Sequence, residues 1–233
     1  HYPDARSAEA LSARRWEPVC ETCGAELSAV PTREDDRVRP ASIYAATKFA
    51  QEDLVRVACS SLGIGHTTLR LQNVYGEGQS LANPYTGILS IFSTRLRRGL
   101  NLPIFEDGLE TRDFVHVEDV ANAFVAAMRS EIPANRAINV GSGLRTTVTD
   151  IAAQLSRAFG IEPDLVTTGQ YRIGDIRHNC ADIGRLTGIL GFSPRIGLAE
   201  GLDRFAAWVR TQPLPEDRLG KANEELQARK LMG

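Results

Sequence analysis

The chain has 233 residues, of which 42% are hydrophobic and 24% are charged, and its formal net charge is −2. This composition is that of an ordinary globular protein, and it argues against a disordered or fibrous chain. No apolar run approaches the roughly 20 residues of a membrane helix, and the small net charge provides no field that would gather nucleic acid. We therefore expect a partner that is a small molecule, with no membrane and no nucleic acid.

The first 40 residues are polar and are interrupted by prolines, which predicts an irregular segment. The chain begins at His1 without a methionine or a signal peptide, so we expect further residues upstream. Its few, unevenly spaced cysteines do not resemble a secreted disulfide framework, and this favours the cytoplasm. Cys20 and Cys23 have the C-x-x-C spacing of half a structural zinc site. The other ligands would lie upstream or include His1; two free thiols are the alternative.

The pattern changes at Pro40. Ser42 can cap a helix that continues to about Leu62, where Gly63 ends it. The β-rich run 67–71 predicts a buried strand, and 73–76 its exit loop. Further helices are predicted over 87–99, 118–130, 147–159, 182–190, 198–209 and 216–231, and strands over 103–105, 112–117, 137–140 and 164–167. This alternation predicts an α/β fold with parallel pairing, followed by an exposed tail helix.

Tyr44 and Lys48 are four residues apart on the first of these helices, so both side chains can reach one pocket. A tyrosine that serves as a base near neutral pH needs its pKa lowered by roughly three units, about 4 kcal/mol. A neighbouring ammonium group can supply much of this effect. The pair alone is weak, since a surface tyrosine packed on a lysine stem has the same spacing.

Two further motifs follow at suitable distances: Leu69-Arg70-Leu71-Gln72-Asn73-Val74-Tyr75-Gly76 and Thr111-Arg112-Asp113-Phe114-Val115-His116-Val117-Glu118-Asp119-Val120. With Tyr44 and Lys48 they resemble the extended short-chain dehydrogenase/reductases, in particular the NAD-dependent nucleotide-sugar epimerases and dehydratases. The resemblance covers about residues 40–212. The segment with Cys20 and Cys23 resembles an insertion in some bacterial epimerases of deoxythymidine-diphosphate deoxysugars, such as rhamnose 4-epimerases.

The resemblance implies roles for individual residues. Tyr44 would be the base, and Lys48 would bind the nicotinamide ribose. The strand end would contact the cofactor through Leu71, Asn73 and Val74. The residues implied to bind the nucleotide-diphosphate sugar are Asn73, Asn83, Phe105, Arg112, Arg172 and Asp175. A simple turn at Asn83 and surface salt bridges for the arginines are the alternatives, the role of Arg177 stays open, and His116 is expected to be structural.

The glycine-rich turn that holds the pyrophosphate of NAD is absent from these residues. We therefore expect the C-terminal part of a Rossmann-type sheet with a smaller α/β substrate-binding domain, and a chain that alone neither binds NAD tightly nor turns over. The expected divisions are 1–40, the irregular insertion; 41–80 with parts of 111–145, the Rossmann-like part; 81–110 and 146–212, the substrate-binding domain; and 213–233, the tail.

The resemblance implies an NAD-dependent epimerase, acting on C4 of a dTDP- or UDP-sugar through a transient keto-sugar, in a homodimer. A 4,6-dehydratase or a reductase of the same family is the enzymatic alternative. A non-catalytic protein that binds a sugar nucleotide is the alternative from another class. The residues that would separate these reactions are expected upstream of His1.

Overall fold

The computed structural model describes residues 1–82, 87–131 and 133–233. Its helices are α1 (Ala8–Ser12), α2 (Ile43–Leu62), α3 (Ile88–Arg97), α4 (Val117–Arg129), α5 (Val148–Ala158), α6 (Gly184–Leu190), α7 (Leu198–Thr211) and α8 (Leu219–Ala228). Its strands are β1 (Thr68–Leu71), β2 (Asn73–Tyr75), β3 (Leu102–Ile104), β4 (Thr111–Arg112), β5 (Phe114–His116), β6 (Ala137–Val140), β7 (Thr146–Thr147) and β8 (Leu165–Thr167).

The strands form pairs between segments that are distant in sequence. β1 pairs with β6, β2 with β5 and β3 with β8, all in parallel, while β4 and β7 are antiparallel. Parallel neighbours require crossover connections, and helices supply them here. The predicted α/β fold with parallel pairing is confirmed.

The strand predicted over 112–117 is two strands, because the chain turns its Asp113 side chain inward between β4 and β5. This carboxylate is fully buried and accepts hydrogen bonds from the backbone N–H groups of Ser142, Gly143 and Ala181, at 2.7 to 3.1 Å. A buried carboxylate needs such donors. Asp113 thus ties the motif strand to the loops after β6 and before α6.

Helix α2 has the predicted ends. The Ser42 hydroxyl accepts a hydrogen bond from the backbone N–H of Ala45, and Gly63 adopts the left-handed conformation with φ 66°. However, no residue of α2 is buried, and Leu54 is 68% exposed. The strand that follows is also less buried than predicted: Leu71 is 42% exposed, and within the described ranges β1 pairs only with β6.

Two clusters of buried apolar side chains form the core. One lies among β3, α3, α5 and α7, and its members include Leu89, Leu102, Ile104, Ile151, Leu155 and Phe205. The other lies among β5, β6, α4 and α6, and its members include Val115, Ile138, Val140 and Leu186. Burial of each such side chain contributes about 1.5–3 kcal/mol. The domain divisions given above stay a prediction.

The two ends of the chain are packed more closely than their composition suggests. In the N-terminal segment Leu11 is 1% exposed, and the Glu34 carboxylate accepts a hydrogen bond from the backbone N–H of Asn139 in β6, at 2.8 Å. The predicted tail helix is shorter than 216–231, and it buries Leu219 and Ala222 instead of lying free. In the described part of the chain, no helix is long and apolar enough to cross a bilayer.

Candidate active site

A cleft of about 250 Å³ opens beside α3 and the strand ends of β2 and β4. Five of the residues implicated by the sequence motifs line it, although they come from four separate segments: Asn73, Phe105, Arg112, Arg172 and Asp175. Its apolar wall includes Ile88, Ile91, Phe92, Pro103 and Val148. A mainly apolar pocket with a few convergent polar groups is the usual form of a small-molecule site.

Arg112 brings a partly desolvated positive charge into the cleft. Its Nη1 donates hydrogen bonds to the backbone oxygens of Thr111 and Arg177, at 2.8 and 3.2 Å. Burial lowers the pKa of Arg112, although the negative charges of Asp175 and Glu110 oppose this effect. A guanidinium that has lost water gains strongly from an anionic oxygen, and its planar shape suits a phosphate group.

Phe105 and Arg172 form a stacked pair on the cleft wall. The guanidinium carbon of Arg172 lies 5.3 Å from the centre of the Phe105 ring, within the range of a cation–π contact. The Nε of Arg172 is buried without a hydrogen-bond partner in the described residues. The pair therefore offers an aromatic face together with an unused donor, an arrangement that suits a flat heterocyclic base near an anion.

Glu106 and Glu110 also line the cleft, and sequence reasoning did not single them out. Glu106 adopts φ 48°, which is unusual for a residue with a side chain. Its carboxylate accepts two hydrogen bonds from Arg6, at 2.7 and 2.8 Å, and a third from Arg177, at 3.0 Å. These charge-assisted bonds hold the turn in place. In the sequence, the signal for these two residues is an acidic side chain at each end of the turn segment Glu106-Asp107-Gly108-Leu109-Glu110.

Arg177, whose role the sequence left open, is the centre of an ion network behind the cleft. Its side chain is 2% exposed and donates to Glu17 at 2.7 Å, to Glu106 at 3.0 Å and to both Asp107 oxygens at 2.7 and 2.8 Å. These hydrogen bonds raise the pKa of Arg177 further, against the effect of burial. Arg177 therefore supports the cleft from behind and is not among the residues that line it.

His116 is structural, as expected. It is buried at the N-terminus of α4, where its Nδ1 accepts a hydrogen bond from the backbone N–H of Glu118 at 3.2 Å. Its Nε2 lies 3.1 Å from a Glu77 oxygen, although the angle falls short of a hydrogen bond. An Nδ1 that accepts leaves the proton on Nε2, which faces Glu77.

Tyr44 and Lys48 lie on the exposed face of α2, outside the set of residues that line the cleft. Tyr44 is 74% exposed, and the Lys48 ammonium donates to the Gln51 side chain at 2.9 Å. Among the described residues the structure shows no hydrogen bond between the two. Asn83 lies outside the described residues, so its predicted contact with the sugar diphosphate stays a prediction.

These residues fit one end of NAD. Tyr44 and Lys48 are one turn apart on the exposed helix α2, and Leu71 in β1 and Val74 in β2 are also exposed, at 42% and 37%. Such a surface suits the nicotinamide ribose. A glycine-rich turn for the pyrophosphate is absent from the sequence, so the residues present account for only part of a dinucleotide site.

Cys20 and Cys23 are both free thiols. The backbone N–H groups of Cys23 and Thr22 point at the Cys20 sulphur and lower the pKa of Cys20, and the Nδ1 of His1 lies 3.9 Å from that sulphur. Still, the described residues contain no group of three or more potential ligands that could hold a metal. The structure does not support the predicted zinc site, since a closed site needs four ligands.

The parallel strand pairs joined by helical crossovers define a protein of the Rossmann-like α/β class. The sequence profile of the NAD dependent epimerase/dehydratase family matches residues 20–141, and the chain belongs to this family. It is 37% identical over 209 residues to a dTDP-L-rhamnose 4-epimerase of Burkholderia thailandensis, with 89% of this chain and 56% of that protein covered.

Two solved structures have the same fold. A UDP-glucose 4-epimerase of Thermotoga maritima with UDP-glucose superposes with a TM-score of 0.70 at 33% identity, covering 79% of this chain and 59% of that one. A Thermus thermophilus UDP-glucose 4-epimerase in complex with NAD superposes with a TM-score of 0.69 at 27% identity, covering 85% of this chain and 61% of that one. The chain thus spans less than two thirds of the length of the relatives it matches.

Proposed function

We propose that this chain supplies the catalytic tyrosine and the substrate cleft of an NAD-dependent epimerase that inverts C4 of a nucleotide-diphosphate sugar. The observation that carries the proposal is the convergence of Phe105, Arg112 and Arg172 on one cleft. The cleft provides an aromatic face for a base and cationic donors for a diphosphate. The names of the relatives favour a dTDP- or a UDP-sugar as substrate.

In this proposal Arg112 and Arg172 bind the diphosphate, Phe105 packs against the base, and Asp175 accepts hydrogen bonds from the nucleoside ribose. Asn73, which is at the strand end and also lines the cleft, contacts the sugar. Tyr44 takes the proton of the C4 hydroxyl and later returns it, and Lys48 binds the nicotinamide ribose. Bound NAD would supply the reversible hydride acceptor that oxidation and reduction at C4 require.

The proposal extends to the setting of the enzyme. We propose that it works in the cytoplasm as a homodimer, as the resemblance implies. A dehydratase and a reductase would use the same cleft, so the products must separate them. Mass spectrometry distinguishes them, because an epimerase leaves the mass of the sugar nucleotide unchanged, a dehydratase removes water and a reductase adds two hydrogen atoms.

The test uses the protein that carries this chain together with any residues that precede it, assayed with dTDP-L-rhamnose and with UDP-glucose. We expect Tyr44→Phe to lower kcat at least about 100-fold and to leave the affinity for the sugar nucleotide unchanged, because the hydroxyl is needed only for proton transfer. Tyr2→Phe, which removes another exposed tyrosine hydroxyl, is the matched control. Full activity of Tyr44→Phe would refute the proposed mechanism, and binding without turnover in the wild type would favour the non-catalytic alternative.

A further inference from the structure

The cleft proposed for a diphosphate contains a carboxyl group with one oxygen that accepts no hydrogen bond among the described residues. Glu110 is 7% exposed, and its Oε2 is buried without a hydrogen bond among the described residues. An unsatisfied buried oxygen costs about 1–3 kcal/mol, more when it is charged. Glu110 lines the cleft, so its carboxyl group belongs to the same site as a bound ligand and has hydrogen-bonding capacity left to use.

Arg177 is near this carboxyl group but does not satisfy it. The Nη1 of Arg177 lies 3.6 Å from the Glu110 Oε2, beyond hydrogen-bond distance. Both hydrogens of that nitrogen already serve Glu106 and Asp107. The remaining charged neighbours are Arg112 on β4, Arg172 and Asp175 across the cleft, and Arg6 behind Glu106.

Burial raises the pKa of Glu110 to about 7, and the negative charge of Glu106 adds to the effect, against the influence of its own backbone N–H and of Arg177 and Arg112. The group is therefore neutral on the acidic side of pH 7 and can then donate a hydrogen bond. Above pH 7 it becomes a carboxylate that would face the charge of a bound diphosphate.

We propose that Glu110 binds the diphosphate only in its neutral form, by donating its O–H to a phosphate oxygen beside Arg112, so that sugar-nucleotide affinity depends on pH. The inference rests on the proposed function and assigns a pH-dependent contact to the same cleft. No proton is transferred to the substrate. The complex holds the proton on Glu110 more tightly than the free cleft does, so binding above neutral pH takes up a proton.

The experiment measures the Kd of UDP-glucose and of dTDP-glucose by calorimetry between about pH 6 and about pH 8.5. These diesters have no phosphate group that titrates in this range, which a free nucleoside diphosphate would have. We expect the wild-type Kd to rise about tenfold or more across the range, since one pKa unit corresponds to about a tenfold change in affinity. Measurement in two buffers of different ionisation enthalpy should show proton uptake near pH 7.5.

Glu110→Gln keeps a donor and removes the titration. We expect its Kd to be independent of pH and close to the wild-type value at pH 6. Glu162→Gln, on an exposed residue far along the chain, is the matched control and should keep the wild-type pH dependence. His178, hydrogen-bonded to Thr111 and Glu17, is a further ionisable residue near Glu110 in the chain fold. A pH dependence that persists in Glu110→Gln would assign the effect to another group and overturn the inference.

Other outcomes are equally decisive. A wild-type Kd that stays constant or falls as the pH rises would overturn the inference and leave the proposed function intact. A Kd that falls would mean that ionised Glu110 accepts a hydrogen bond from a hydroxyl group of the ligand. Absence of binding at every pH would overturn the proposed function itself. If Glu110→Gln does not fold, proton uptake by the wild type still tests the inference.

Discussion

At the scale of residues, two carboxyl groups beside Arg177 behave in opposite ways. Burial opposes ionisation of Asp107, but the hydrogen bonds from Arg177 and from the backbone N–H of Leu109, together with the charge of Arg177, outweigh burial and lower the pKa of Asp107. Glu110 receives no such hydrogen bond, and burial raises its pKa to about 7. The deeper burial of Glu110 and the hydrogen bonds that only Asp107 receives from Arg177 together decide which of the two carboxyl groups stays ionised.

The raised pKa of Glu110 has a consequence for stability. Its folded pKa of about 7 lies above the ordinary value of 4.5, so the folded state holds the proton more tightly. The associated stabilisation is complete below about pH 4.5 and is lost as the pH rises towards 7. As the pH rises from about 5 to about 8, we expect the wild type to lose about 2–3 kcal/mol of unfolding free energy that Glu110→Gln does not lose.

Urea denaturation of both proteins at the two pH values measures this difference. Glu162→Gln should follow the wild type at both. If Glu110→Gln and the wild type lose stability in parallel as the pH rises, Glu110 is already ionised at acidic pH in the folded protein.

At the scale of elements, α7 approaches the strands that carry the motif because it has a glycine where they meet. A Cβ at Gly201 would lie 2.1 Å from the Tyr75 hydroxyl and 3.1 Å from the His116 ring. Tyr75 and His116 are both buried, and their rings pack edge to face at 5.4 Å. A larger residue on α7 would therefore push the helix away from β2 and β5.

Because of this close approach, we expect alanine to destabilise the protein at Gly201 and to stabilise it at another helical glycine, Gly188. We expect Gly201→Ala to lower the free energy of unfolding by about 2 kcal/mol, because overpacking outweighs the gain in helix propensity. A Cβ at Gly188 in α6 meets no atom within 4 Å, so Gly188→Ala should stabilise the protein by about 0.5–1 kcal/mol. Guanidinium denaturation of the two variants compares them directly, and equal stabilisation by both would show that α7 can shift freely.

At the scale of the whole molecule, the N-terminal segment is part of the cleft's support. Arg6 donates two hydrogen bonds to the Glu106 carboxylate and a third to the backbone oxygen of Asp175, at 3.0 Å. Glu17 bonds Arg177 at 2.7 Å and His178 at 2.9 Å. Both residues lie before the stretch 20–141 that matches the family profile. The segment thus joins two walls of the cleft from outside the shared motif region.

We expect Arg6→Gln to lower the free energy of unfolding by about 2 kcal/mol and to raise the Kd of UDP-glucose several-fold, because Glu106 and the Asp175 turn lose a shared anchor. Arg33→Gln is the control, since the Arg33 side chain is 71% exposed and such ion pairs contribute about 0–1 kcal/mol. Thermal unfolding and calorimetry report the two effects. Unchanged affinity in Arg6→Gln would limit the segment to a stabilising role.

The sequence by itself determined the features that depend on neighbours along the chain. Ser42 and Gly63 mark the ends of α2 by local backbone chemistry, and the run 137–140 forms β6 with the predicted bounds. The motif residues Phe105, Arg112 and Arg172 were recognised from linked patterns, and the structure brings them to one cleft. The catalytic roles of Tyr44 and Lys48 stay predictions.

Only the tertiary structure decided the features that depend on partners far along the chain. Glu106 meets Arg6 across 100 residues, and the inward turn of Asp113 divides a strand that alternation predicts as continuous. Whether Glu110 is satisfied depends on hydrogen-bond directions around Arg177, which no spacing encodes. Local sequence sets backbone preferences, whereas the charge state of a buried group is set by the donors and the solvent that the fold leaves to it.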